Sequence, residues 1–282
     1  MEDGSIELQD ADGEAIYLIP APDMTDAAEG FSSAVSYDLE KTADGIWRLT
    51  ITADAKWINA EERVFPVAID PTVILYPSSD DDSILTSYVN SGRPTSASFN
   101  NTVYLRSGYY TNTEYDSDCT GHTVGLIYFK TLPKVPDNCA ITDAQLGLTE
   151  VKYGGMGNAN YHKLYATTIP TPSNPKTYLR DMTWNSYQAN IENQYASLGD
   201  GNTPTALEYQ REINHAATET RYVITNAVQM WYDQNNTSIS RLLVLDDGHT
   251  STTNARVTYG GYAYGTAYAP KVYVLRCEHP FT

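Results

Sequence analysis

Five histidines, at positions 122, 162, 215, 249 and 279, are the side chains of this chain best suited to moving a proton near neutral pH. None stands in the H-x-H or H-E-x-x-H spacing that brings two imidazoles to one zinc ion from a single element. A G-x-S-x-G elbow for a nucleophilic serine is missing, and Gly154-Gly-Met-Gly157 lacks the Lys-Ser/Thr that a phosphate-binding loop requires. The densest group of acid–base residues is Asp246-Asp247-Gly248-His249. Paired carboxylates there could cleave a glycosidic bond. Asp-Asp-Gly between two strands is equally what a turn demands, and that is the commoner use of such a sequence.

Two other groupings could bind without catalysis. Asp80, Asp81 and Asp82 precede the first strand of the longer half, and acidic loops of this kind supply the oxygens that calcium prefers. Calcium on Asp80 and Asp82 therefore competes with a solvated linker. Asp10-Ala-Asp-Gly13 lacks the remaining ligands of a calcium loop and reads as a hairpin turn. The chain also holds 23 tyrosines against five phenylalanines, which favours rings with one apolar body and one polar tip. Tyr109 and Tyr110 in one polar loop, and Tyr262 and Tyr264 in the glycine-rich Gly260-Gly-Tyr-Ala-Tyr-Gly265, could stack on a pyranose ring. Packing at strand edges is the competing use of the same rings.

The formal charge of −17, from 18 basic and 35 acidic residues, argues against a nucleic-acid partner, because a phosphate-binding surface needs clustered Lys and Arg. It argues equally against an anionic membrane. No apolar run approaches the roughly 20 residues that span a bilayer, so membrane insertion is not expected. The opening Met1-Glu-Asp-Gly4 reads as the cut edge of a longer chain rather than as a signal peptide. Cys119, Cys139 and Cys277 are odd in number and show no C-x-x-C spacing. They read as isolated thiols, with a single pairing left open.

These side chains must be positioned by strands. Residues 5–9 and 15–19 flank one Asp-Gly turn, and 35–41 and 46–52 flank another at Thr42-Ala-Asp-Gly45. The stretch 64–69 carries Pro66 and is followed by Pro71, so it belongs at a sheet edge, where a missing N–H is tolerated. From residue 83 onward the alternation predicts strands at 83–88, 103–107, 124–130, 140–151, 162–168, 221–223, 240–245, 256–259 and 271–275. A single short helix is predicted over 225–233, opened by Thr225 and spacing Val228 and Trp231 along one face, with Trp231 closing one end of the core. Long loops separate the strands at 108–121, 153–161 and 170–220. The expected fold is all-β: a small hairpin-rich unit over residues 1–75, packed on a jelly-roll-like β-sandwich over 76–282.

Arg63-Val-Phe-Pro-Val-Ala-Ile-Asp-Pro-Thr72, after Trp57-Ile58, resembles the segment that precedes a DNRLRE-type sandwich domain in wall-associated and RHS-repeat proteins of Firmicutes. Downstream, Leu126-Ile-Tyr-Phe-Lys-Thr-Leu-Pro133, Ile141-Thr-Asp-Ala-Gln-Leu-Gly-Leu148, Thr183-Trp-Asn185 and Ala269-Pro-Lys-Val-Tyr-Val-Leu275 resemble the sandwich itself. The resemblance implies a non-catalytic extracellular module of a large RHS-type protein, secreted or cell-wall associated. It further implies carbohydrate binding or adhesion, with polysaccharide or cell-wall glycan as partner. A structural spacer packing on downstream repeats of the same polypeptide and a polysaccharide-acting enzyme are the alternatives. Family members often carry Arg where this chain has Val124-Gly125.

Overall fold

Alternating runs separated by tight turns close into antiparallel ladders throughout a computed structural model of the chain. It describes residues 3–9, 13, 15–70, 73–75, 83–97, 103–110, 120–132, 140–151, 160–196, 207–211, 219–233, 239–246, 255–261, 263 and 268–278. The first strands are β1 (Ile6–Gln9), β2 (Ala15–Ile19), β3 (Asp23–Asp26), β4 (Phe31–Ser32), β5 (Val35–Ala43) and β6 (Ile46–Ala53). A one-turn helix α1 (Ala55–Ile58) leads to β7 (Val67–Asp70) and β8 (Val73–Leu75). Beyond it run β9 (Ile84–Asn90), β10 (Tyr104–Tyr110), β11 (Gly121–Phe129), β12 (Ala140–Thr149) and β13 (Asn160–Ala166). Helices α2 (Pro175–Arg180) and α3 (Trp184–Asn190) precede β14 (Leu207–Arg211) and β15 (Glu219–Val223). Helix α4 (Thr225–Asp233) is followed by β16 (Leu242–Asp246), β17 (Ala255–Gly260) and β18 (Lys271–Glu278).

Both expected hairpins form. In the β5–β6 ribbon the register sets Tyr37 against Ile51 and Leu39 against Leu49 on one face, with Asp38 against Thr50 and Glu40 against Arg48 on the other. Gly45 turns the ribbon at a φ of 71°, which a side chain would resist. β7, flanked in sequence by Pro66 and Pro71, sits at the edge of the β4-β3-β7 sheet. Just before it, Arg63 reaches back to the end of β3, where its Nη1 donates to Asp26 Oδ2 at 3.0 Å, and its guanidinium lies 4.3 Å from the Trp57 ring centroid.

Two larger antiparallel sheets carry the rest. The first has the order β1-β2-β8-β18-β12-β15; the second runs β14-β13-β16-β11-β10-β17, with β9 also paired to β11. β8 bonds β2 on one side and β18 on the other, so strands from both sides of residue 75 share one ladder. The chain is all-β, with an antiparallel sandwich as its main body. Its core joins Leu146, Leu148, Tyr222 and Val272 of the first sheet to Leu105, Ile127, Phe129, Leu245 and Tyr259 of the second. Trp231 of α4 enters this core and lies against Phe129 at 5.6 Å between ring centroids.

Helix α4 occupies the predicted span, but Thr225 does more than open it. Its Oγ1 accepts the Ala144 amide at 3.0 Å, and Gln229 Oε1, one turn later, accepts the Ile141 amide. These are the residues where β12 loses register with β18, so the helix satisfies donors that the irregular ladder leaves unpaired.

The segment after Pro170, expected as a loop, holds α2 and α3. Asn174 caps α2 by accepting the Thr177 amide at 3.0 Å, and Pro175 opens it. Thr183 and Ser186 cap α3 reciprocally. These helices cover the outer face of the second sheet, where Leu179, Met182, Trp184, Tyr187 and Ile191 pack on Val124, Leu126 and Val244. β11 is therefore buried on both faces, one against the first sheet and one against the helices. Among the described residues no helix is long and apolar enough to cross a membrane.

Candidate functional site

The helix-covered face of the second sheet ends in a histidine–aspartate pair. Residues 122, 124 and 126 of β11 share one face of their strand, as do 242, 244 and 246 of β16. The β11–β16 register, with Gly125 opposite Leu245, brings the start of one strand beside the end of the other. His122 Nε2 and Asp246 Oδ1 lie 2.8 Å apart, with 20% and 16% of their side chains exposed. A carboxylate only accepts hydrogen bonds, so it takes the hydrogen on Nε2 and fixes the ring's orientation.

The backbone around His122 is held equally firmly. Gly121 adopts a φ of 103°, and a Cβ there would lie 2.6 Å from Ser91 Oγ and 2.9 Å from Gly92 N. Glycine thus allows β11 to start against the turn after β9, where the His122 amide donates to Ser91 Oγ at 2.8 Å. Aromatic rings close the other side. The Trp184 ring meets the imidazole edge-on at 5.3 Å and 66°. Tyr165 stacks on Tyr195 at 4.3 Å, and the Tyr195 and Tyr187 hydroxyls are 2.7 Å apart. Burial first, then the neighbouring Tyr195 and the charge of Asp246, push the Tyr187 phenol far above its usual range. Burial and Asp246 also raise Tyr195, against an opposing hydrogen bond from Tyr187. Both phenols therefore stay neutral and serve as hydrogen-bonding groups. An imidazole oriented by a carboxylate is competent to take up or deliver a proton.

Of the expected site residues, Tyr109 lies half-buried in β10 as the ladder partner of His122. Tyr110 ends the same strand, with its side chain outside the described residues, as are Asp80, Asp82, Tyr262 and Tyr264. Among the described residues no group of three or more His, Cys, Asp or Glu converges on a metal position. Asp246, named within the Asp-Asp-Gly cluster, is in the pair; its partner was not foreseen. The two are 124 residues apart, and only the register of β11 on β16 joins them. Gly125 of β11 is required by packing. A Cβ there would meet Leu105 Cδ1 at 2.9 Å and the Arg106 carbonyl at 3.1 Å.

No protein-family model matches the chain. Three curated proteins are similar to it, each over 156 residues that make up 51% of this chain. They are the tRNA3(Ser)-specific nuclease WapA of Bacillus spizizenii, at 36% identity, and two at 35%, the tRNA nuclease WapA of Bacillus subtilis and the tRNA(Glu)-specific nuclease WapA of Bacillus subtilis subsp. natto. The match spans only 6% of the length of each relative. These findings correct several expectations. The DNRLRE assignment is replaced by likeness to WapA proteins. The relatives are named as nucleases, which overturns the non-enzymatic, carbohydrate-binding or adhesive reading with its spacer and polysaccharide alternatives. Their named substrate is tRNA, which overturns the exclusion of nucleic acid. That exclusion rested on the charge of one segment, and such a sum carries no information about the remainder of a much longer polypeptide.

Proposed function

We propose that this chain is one segment of a larger polypeptide whose activity is the cleavage of tRNA. The observation that carries the reading is the 35–36% identity over 156 residues to three proteins named as tRNA nucleases. Because the match covers 6% of each of them, the activity belongs to the whole polypeptide. At −17 this segment repels phosphate over long range, so the lysines and arginines that neutralise the tRNA backbone are expected from the remainder. A secreted or cell-wall-associated location goes with this reading; it is supported by the likeness to the WapA proteins, and cell fractionation tests it.

The test of function is incubation of the full-length polypeptide with a total tRNA pool, followed by mapping of the new ends. Discrete cuts in one or a few tRNA species are expected, and a pool left intact overturns the proposal. The full-length His122→Ala variant, run in parallel, locates the chemistry. An unchanged rate assigns it to the remainder of the polypeptide, whereas a lost rate with the fold preserved assigns it to the His122–Asp246 pair.

A further inference from the structure

The β5–β6 ribbon is where the apolar side chains of this fold find least cover. It forms a sheet of two strands by itself, and no residue of either strand is buried. The register that puts Tyr37, Leu39, Leu49 and Ile51 on one face adds Trp47 beside them, opposite Lys41. Leu39, Trp47 and Ile51 are 40%, 56% and 36% exposed, so this face stands open. A two-stranded ribbon is marginal in water, whereas a third strand that widens its apolar face stabilises it. β5 is paired to β6 on one side, and among the described residues its other edge has no ladder partner. The backbone groups along such an edge are a template for strand addition.

Charge decides which strand the edge admits. On the face away from Tyr37 and Leu39, β5 carries Ser36, Asp38 and Glu40. Glu40 is met by Arg48 at 3.4 Å across the ribbon, and Lys41 by Asp44 at 3.1 Å in the turn. Asp38 faces Thr50 and has no ion pair among the described residues. The surroundings add to its charge: residues 1–75 hold sixteen acidic and four basic side chains, which is −12 of the total of −17. A second copy of this chain would bring acid against acid at the edge, and like charges on adjacent strands repel. A strand with Lys or Arg beside Asp38 and Glu40 is attracted instead. Its alternate positions then carry apolar side chains, next to Tyr37 and Leu39.

We propose that the free edge of β5 is a docking site for a basic, extended segment from the remainder of the polypeptide, which joins the ribbon as a third strand. Such docking presupposes that the chain is one part of a larger polypeptide, and is independent of whether that polypeptide cuts tRNA. The three similar proteins have such a remainder, since the match spans 6% of each. A single added strand contacts far less than the roughly 800 Å² per partner of a typical stable complex. Tethering offsets the small area. Covalent connection holds a segment at roughly millimolar effective concentration, where even a weakly pairing strand is bound.

Amide hydrogen exchange along residues 35–43, compared between the 282-residue chain and the full-length polypeptide, tests the site. In an antiparallel pair every second amide of β5 points away from β6 and is open to exchange. In the full-length protein these outward amides are expected to be protected about tenfold, the factor given by an effective concentration ten times the dissociation constant. Unchanged exchange overturns the proposal, and so does protection gained at the outer edge of β6 instead. Asp38→Lys should return the outward amides to the rate seen in the 282-residue chain, whereas Asp38→Glu should leave them protected. Protection that survives Asp38→Lys overturns the basic occupant. The inward amides, bonded to β6, report in each variant that the ribbon is still folded. Cleavage of the tRNA pool is a separate readout, so the docking and the proposed activity can each fail alone.

Discussion

Asp26 gathers four hydrogen bonds on one carboxylate. The amides of Ala28, Gly30 and Val64 and the Arg63 guanidinium all donate to it, at 2.8–3.3 Å. The Gly30 amide, more than any other group, holds this carboxyl below the usual aspartate range, with Val64, Ala28 and Arg63 adding to the effect. A lowered folded-state value means stability that is present above about pH 3.9 and lost as the pH falls through the folded value. Asp26→Asn should therefore lower the urea midpoint at neutral pH, with the gap to wild type closing as both are taken well below about pH 3.9. A gap of constant size down to the lowest pH would contradict this account. Gly125 poses the opposite problem, that of adding an atom. Its Cβ position is already occupied by Leu105 and by the Arg106 carbonyl, which belongs to a paired strand. Gly125→Ala is expected to cost about 1–3 kcal/mol in urea unfolding, and a neutral result would show that β10 yields freely.

Helices α2 and α3 are too short to hold themselves together, at six and seven residues, and depend on their caps and on the sheet beneath. Thr183→Ala removes the acceptor for the Ser186 amide and should cost about 1 kcal/mol, read as a fall in the melting temperature. Thr183→Ser keeps the acceptor and should restore most of the loss; equal effects of the two substitutions would refute the capping role. Most strands and α4 were legible because period-2 alternation and the Thr225 start are written within a few adjacent residues, whereas the short β3, β4 and β14 were not read. α2 and α3 left real signals in Asn174-Pro175 and Thr183. Neither is long enough for apolar spacing to repeat, so the segment read as a loop. β11 hid its partners differently: burial on both faces replaced alternation with a continuous apolar run from Val124 to Phe129, broken only by Gly125. The His122–Asp246 pair was beyond local reading altogether, since it exists only through the β11–β16 register.

At the scale of the whole molecule, the first sheet decides whether the chain unfolds in one step or two. The Asp-Gly hairpins and the proline-bearing stretch at 64–69 suggested a small N-terminal unit ending near residue 75, too small for a core of its own. In the folded chain Ile74 of β8 is the ladder partner of Leu18 on one side and of Tyr273 on the other. β18 in turn pairs β12 along most of its length, and β12 supplies Ala144, Leu146 and Leu148 to the core. Loss of packing at Ile74 is therefore transmitted in both directions. Ile74→Ala is expected to cost about 2–5 kcal/mol. Hydrogen exchange under conditions that report opening free energies should show that cost equally in β1–β2 and in β12 and β18, because amides within one cooperative unit open together. If only β1 and β2 lose protection while β12 and β18 keep theirs, the ladder is divisible at β8 and the first 75 residues unfold on their own. Equal loss on both sides would mean that β1, β2 and β8 are the outer half of a sheet whose inner half carries the core.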